Sequence, residues 1–162
     1  MPSRCLAAVL AVALAVPAAS PGHAQTRKPT AKETAAIRAC AEKNKDDLDE
    51  VERQCLFKLV ADPCTETEEG KSNVGTASCF RVEQGIWDAL LNANFNALRD
   101  DLDTGQKAKL RDMQRAWIAY RDTTCAFYYV KIQGTMAGPM TSACLARETA
   151  RGAVLLDFMR RL

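Results

Sequence analysis

The chain has 162 residues, 48% of them hydrophobic, with 22 Lys+Arg against 20 Asp+Glu and a formal net charge of +2. That length makes one domain with a core of ordinary size. The near balance of charge leaves no global drive toward nucleic acid or an anionic membrane, so neither is expected as a partner.

Residues 1–24 read as a segment outside the fold. Arg4 supplies a positive charge, Leu6 to Val16 is an apolar run, Pro17 and Pro21 break it, and Gly22-His23-Ala24 places small residues at −3 and −1 of a cleavage site. This is the pattern of a secretory signal peptide cut after Ala24. The run is short of the roughly 20 apolar residues a membrane span needs. Cys5 precedes it and so is not placed as a lipoprotein cysteine. A periplasmic or secreted protein without a membrane anchor is expected. Removing 24 of 162 residues leaves 138, with 21 Lys+Arg against 20 Asp+Glu and no histidine, since His23 is the only one. Histidine-based nucleophiles, histidine general bases and histidine-ligated zinc are thereby excluded.

Residues 25–32 are polar, contain Pro29, and predict a flexible tail; residues 33–63 then predict a helical hairpin. Its first helix runs from Glu33 to about Asn44. Asp46 or Asp47 suits an N-cap for the second, DLDEVERQCLFKLV, in which Leu48, Val51, Cys55 and Leu59 recur at helical steps. Asp62-Pro63-Cys64 should end the hairpin, and Thr65 to Ser78, polar and with two glycines, predicts a loop or at most one turn. A third helix follows with Val82, Ile86, Leu90, Phe95, Leu98 and Leu102 facing inward and Trp87 and Leu91 beside them. Thr104 suits the cap of a long fourth helix, Gln106 to Lys131, whose inward stripe is Leu110, Met113, Trp117, Tyr120, Thr124 and Phe127. Gly134, Gly138 and Pro139 predict a turn. A last helix from Thr141 carries Cys144, Arg151, Leu155, Phe158 and Leu162 along one side. The chain reads as all-α, a disulfide-stapled bundle of four to five helices.

Six cysteines remain after Cys5: Cys40, Cys55, Cys64, Cys79, Cys125 and Cys144. An even set in an exported chain reads as three disulfides, and no C-x-x-C pair supports a metal. Spacing favours Cys40–Cys55, Cys64–Cys79 and Cys125–Cys144, each closing about 15 to 20 residues. The rival is nested, with Cys55–Cys64 inside Cys40–Cys79.

Paired carboxylates are the remaining route to catalysis. Glu83 with Asp88, or Asp100, Asp101 and Asp103, could supply an acid and a base, but each reads more simply as a solvated helix edge. In QRAWIAYRDTTC, Trp117 and Tyr120 read as core, Arg121 as held by a neighbouring helix's carboxylate, and Asp122 as pointing elsewhere. The acids Asp46, Asp47, Asp49, Glu50 and Glu52 suit a helix N-terminus. Tyr128 and Tyr129 could be exposed anchors, although one of them can continue the core.

One series of residues is more specific. Cys64 and Cys79-x3-Glu83-x3-Trp87-Asp88-x2-Leu91-Asn92-x2-Phe95 are followed by Leu110-x3-Gln114-x2-Trp117-x2-Tyr120-Arg121-Asp122-x2-Cys125, then Gly134, Cys144 and Thr149-x-Arg151. The pattern, spanning 64–162, resembles the LprI-type lysozyme inhibitor domain family. The resemblance implies a small exported helical domain with no catalytic residues and no cofactor, whose partner is a lysozyme-type muramidase. It carries Trp87, Asp88, Leu91, Asn92, Gln114, Trp117, Tyr120, Arg121, Asp122, Thr149 and Arg151 over as signature positions of structural character. The competing class is an envelope module that binds wall fragments or another envelope protein. Two constrained loops could occlude a glycan cleft, Thr65 to Ser78 and Gln133 to Met140. In the first, Glu66, Glu68, Glu69 and Lys71 are the candidate partner-binding residues.

Overall fold

The computed structural model describes residues 27–162, so the expected signal peptide lies outside the described residues. Six helices make up the regular structure of the described residues: α1 (Ala31–Lys43), α2 (Leu48–Cys55), α3 (Ala61–Thr65), α4 (Asn73–Asp100), α5 (Thr104–Ile132) and α6 (Ala137–Arg160). The fold is all-α, and three disulfides staple it with the spacing-favoured pairing: Cys40–Cys55, Cys64–Cys79 and Cys125–Cys144.

Helix α6 is the centre of the molecule. It lies against α4 and α5 and meets α2. Asn94 Nδ2 donates to the Ala153 carbonyl at 2.9 Å, and Arg81 reaches the Ser142 hydroxyl at 3.5 Å, so α4 and α6 run parallel, side by side. The Cys125–Cys144 bridge, with Trp117 on Gly152, makes α5 antiparallel to α6. Small residues allow this close approach: Ala146, Thr149, Ala150, Gly152 and Ala153 are buried on α6. The side expected to face inward is therefore displaced. Cys144 is buried, whereas Arg151, Leu155, Phe158 and Leu162 are exposed. The glycine turn is also shorter than expected, because Gly138 and Pro139 lie in the first turn of α6, where proline lacks an N–H the helix does not use.

Helix α1 begins at Ala31, inside the stretch expected to be a tail. Thr30 and Glu33 form a reciprocal capping box. Arg27 donates to both Glu33 carboxylate oxygens at 2.5 and 2.9 Å, and chiefly this guanidinium holds the Glu33 carboxyl down at about 2. Asp47, with its carboxylate accepting from Glu50 N at 2.9 Å, caps α2. The second helix stops at Cys55 rather than running through Val60. Leu56 is extended and Phe57 takes φ +69°, which ends the helical register before Leu59; Leu59 is exposed, as is Leu48 at the start of α2. Asp62-Pro63-Cys64 does not break the chain but lies within the short α3. Ile37, Val51, Cys55, Leu56 and Val60 share one buried cluster with Val82, Ile86, Trp87 and Leu156, so the N-terminal hairpin packs into the same core as the long helices.

The long loop is shorter than expected. Ser72 accepts from Gly75 N at 3.0 Å and caps α4, making Asn73 to Ser78 helical and leaving residues 66–72 as the loop. At the next junction the cap is Asp103, not Thr104. Its carboxylate accepts from Gln106 N at 2.8 Å while Gln106 Oε1 accepts from Asp103 N at 3.0 Å.

Candidate functional site

Glu83 is the most unusual group in the molecule. It is fully buried, not a solvated edge. Its position, four residues after Cys79 and four before Trp87, puts it on the inward face of α4. One oxygen accepts from Phe57 N at 2.7 Å and Trp87 Nε1 at 3.1 Å, the other from Ala61 N at 2.9 Å. Ala61 is the first residue of α3, so the carboxylate also supplies the cap that Val60 lacks. Burial pushes its carboxyl above the ordinary range, and the three N–H donors hold it back. Asp88 is exposed on another side of α4, where Asn92 donates to its carbonyl and carboxylate at 2.8 and 3.1 Å. The fold does not bring Glu83 and Asp88 together. Asp100 pairs with Arg99 and Asp103 is the α5 cap, so these two are engaged locally. Periodicity alone could have placed Glu83 inside, since Val82, Ile86 and Trp87 surround it in sequence.

The QRAWIAYRDTTC stretch forms the α5–α6 seam. A Cβ on Gly152 would lie 2.5 Å from Trp117 Cζ2, so only glycine lets the indole rest on α6. Arg121 stacks over that indole at 5.1 Å and points a guanidinium nitrogen to the Thr149 hydroxyl at 3.5 Å. Its carboxylate partner is Asp122, next to it on the same helix, at 2.8 Å rather than a residue of a neighbouring helix. Asp122 therefore turns back toward Arg121. The inward residues are Leu110, Met113, Gln114, Trp117, Arg121, Thr124, Cys125 and Tyr128; Tyr120 and Phe127 are not among them, being 54% and 64% exposed. Tyr129 is exposed as well.

The acidic run of the hairpin is largely consumed by packing. Arg151 holds both Glu52 oxygens at 2.9 and 3.0 Å and Glu148 at 2.9 Å, while Arg161 holds Asp46 at 2.6 Å. The Glu52 pair fastens α2 to α6, the Asp46 pair ties the turn before α2 to the end of α6, and the Glu148 pair lies within α6. Beside them a cleft of about 310 Å³ opens between α2 and α6, with Leu48, Val51, Leu56, Trp87 and Val154 as walls.

The 66–72 loop is the opposite case: its charges face solvent and its backbone is pinned. Thr67 Oγ1 donates to the Cys64 carbonyl at 2.8 Å and accepts from Gly70 N at 3.1 Å. Thr76 Oγ1 donates to the Gly70 carbonyl at 2.9 Å. A Cβ on Gly70 would sit 2.0 Å from the Cys64 carbonyl oxygen, and one on Gly75 would sit 1.9 Å from that of Glu69. Both glycines are required by close backbone approach, and the Cys64–Cys79 bridge closes the base. From this scaffold Glu66, Glu68, Glu69 and Lys71 project outward, with Lys71 and Glu68 paired at 2.6 Å. The second loop, by contrast, reduces to residues 133–136.

None of the described helices is long and apolar enough to cross a membrane. Neither a curated protein nor a solved structure matches the chain. The family model described as lysozyme inhibitor LprI matches residues 64–156, from the first cysteine of the pinned loop to the last buried leucine of α6, and the chain belongs to that family.

Proposed function

We propose that this chain is an exported inhibitor of a lysozyme-type muramidase and that its 66–72 loop makes the inhibitory contact. Family membership supports the partner class, and the three staples fit an oxidising compartment. The observation that carries the loop assignment is its combination of rigid backbone and outward charge. A pinned loop loses little conformational freedom on docking. Muramidases hydrolyse glycan between two carboxylates; Lys71, exchanging its Glu68 partner, would reach one of them, and Glu66, Glu68 and Glu69 would meet a basic rim. A lysis assay with the disulfide-bonded protein tests this reading. Inhibition near equimolar ratio that is lost in the Glu66→Ala/Glu68→Ala/Glu69→Ala variant is expected. Inhibition unchanged in that variant removes the loop from the site, and no inhibition by the parent removes the muramidase.

The apolar cleft beside Trp87 favours one further reading, an envelope module that binds wall fragments. Its walls and its Asp49, Glu52 and Arg151 rim would accept a small amphipathic glycan piece. Titration with soluble wall fragments, followed by indole fluorescence, distinguishes it: a saturable change supports the module.

A further inference from the structure

Helix α5 carries two apolar stripes, and α6 covers only one. The second consists of Ala116, Tyr120, Thr123, Phe127 and Val130, all exposed, at successive spacings of four, three, four and three residues. Tyr120, Phe127 and Val130 are 54%, 64% and 67% exposed. Ala119 and Ala126 extend the same sector, so the face from Ala116 to Val130 carries no charge over about 21 Å of helix. The spacing is that of a helix that packs along a second helix, and no described helix of this chain occupies the face.

We propose that a second copy of this chain covers it, through an antiparallel α5–α5 pairing about a two-fold axis between Arg121 and Asp122. The size pattern along the stripe selects that arrangement. With the axis there, each Phe127 lies opposite Ala116 of the second copy and each Tyr120 opposite Thr123, a large residue against a small one in the four central layers, while Val130 lies at the edge of the seam beyond them. A parallel alignment instead sets Phe127 on Phe127 and Ala116 on Ala116, crowding one layer and leaving another empty. Antiparallel helices also oppose their macrodipoles, and Lys109 then faces the carbonyl end of the neighbouring α5. Ala119 and Ala126 border the seam and let the two backbones come close. The Cys125–Cys144 bridge fastens α5 to α6 near the axis, so the face is held ready rather than ordered on contact. The contact is isologous, as a closed dimer requires.

Sedimentation equilibrium on the disulfide-bonded protein across the micromolar range tests the pairing. A reversible monomer–dimer equilibrium is expected, weakened at least about tenfold by Phe127→Glu, which places a charge in a buried layer. Ala116→Phe alone and Phe127→Ala alone each weaken it, and the double variant A116F/F127A restores the layer with its sizes exchanged. Both positions are solvent-exposed in the single chain, so circular dichroism of the variants should match the parent. A protein that stays monomeric throughout overturns the proposal. So does a dimer indifferent to Phe127→Glu, or a double variant no better than the worse single one. Loss of muramidase inhibition by Phe127→Glu in a protein that never dimerises would assign the face to the enzyme and refute self-association.

Discussion

Gly152→Ala is an unusually sharp test of the α5–α6 seam, because two large effects of opposite sign meet there. In an exposed helix interior, alanine in place of glycine stabilises by about 1 kcal/mol. At this site the added Cβ falls 2.5 Å from Trp117 Cζ2, 2.8 Å from its Cε2 and 3.0 Å from Leu91 Cδ1. Ordinary carbon contacts lie at roughly 3.5–4.0 Å, so the methyl group intrudes by about 1 Å on a rigid ring. The ring has little room to retreat. Arg121 stacks over it, and the Cys125–Cys144 bridge fixes the spacing of the two helices two turns away. Overpacking of this kind costs about 1–3 kcal/mol. The net expectation is destabilisation of up to about 2 kcal/mol, seen as a lower urea midpoint at unchanged slope and a Tm reduced by as much as about 6 °C. In the Trp117→Phe background both indole contacts are gone and only Leu91 Cδ1, the far end of a flexible side chain, remains, so the same Gly152→Ala change should be neutral or stabilising. If Gly152→Ala raises the stability of the parent by the propensity gain alone, the close approach of Trp117 to α6 is wrong.

The buried carboxylate predicts a pH signature. Folding raises the Glu83 carboxyl above its unfolded value near 4.5, so its contribution is full below that value and is lost as pH rises through the folded one. The stability gap between the parent and Glu83→Gln should therefore move against the parent as urea titrations go from pH 4.5 toward neutrality. Glu83→Ala should cost about 3–5 kcal/mol by calorimetry, since it strands two backbone N–H groups and the Trp87 indole N–H and opens a cavity. The double variant Cys125→Ser/Cys144→Ser opens a bridge of sequence separation 19 and should lose about 3 kcal/mol in guanidinium titration. Gly70→Ala should release amide protection across residues 66–72 in hydrogen exchange while leaving α4 and α6 protected, because the Cβ meets backbone rather than a yielding side chain.

Helical period was legible wherever one stripe dominated. Val82, Ile86, Trp87 and Leu91 recur as expected and are buried. It failed on α5, where a second apolar stripe lies about a third of a turn from the first. Periodicity locates a stripe but says nothing about which stripe a neighbour covers, and Tyr120 and Phe127 went to the wrong one. It failed again on α6, whose buried side is read from smallness rather than hydrophobicity. Gly152, Ala150 and Ala153 are inside because two helices press on them, which only tertiary structure shows. Charge makes Glu83 read as a solvated edge although its neighbours Val82, Ile86 and Trp87 mark the position as inward; the donors that satisfy it, two from 22 and more residues upstream and one from its own helix, are visible only in the fold. The pairing of the cysteines was readable from spacing, since each pair belongs to segments that are neighbours in sequence. The loop acids were legible as charge. Their presentation on a pinned backbone was not, because it depends on Gly70 and Gly75 meeting carbonyls folded back against them.

The staples join Cys40 to Cys55, Cys64 to Cys79 and Cys125 to Cys144, so along the described residues every cysteine bonds to the next one to appear. For a chain that enters an oxidising compartment N-terminus first, order of emergence and native connectivity coincide. An oxidase acting on successive thiols as they arrive makes the correct set at once, and no bond has to be broken and remade. A connectivity of this kind asks only for a thiol oxidant when the thiols pair in order, and leaves a disulfide isomerase nothing to reshuffle.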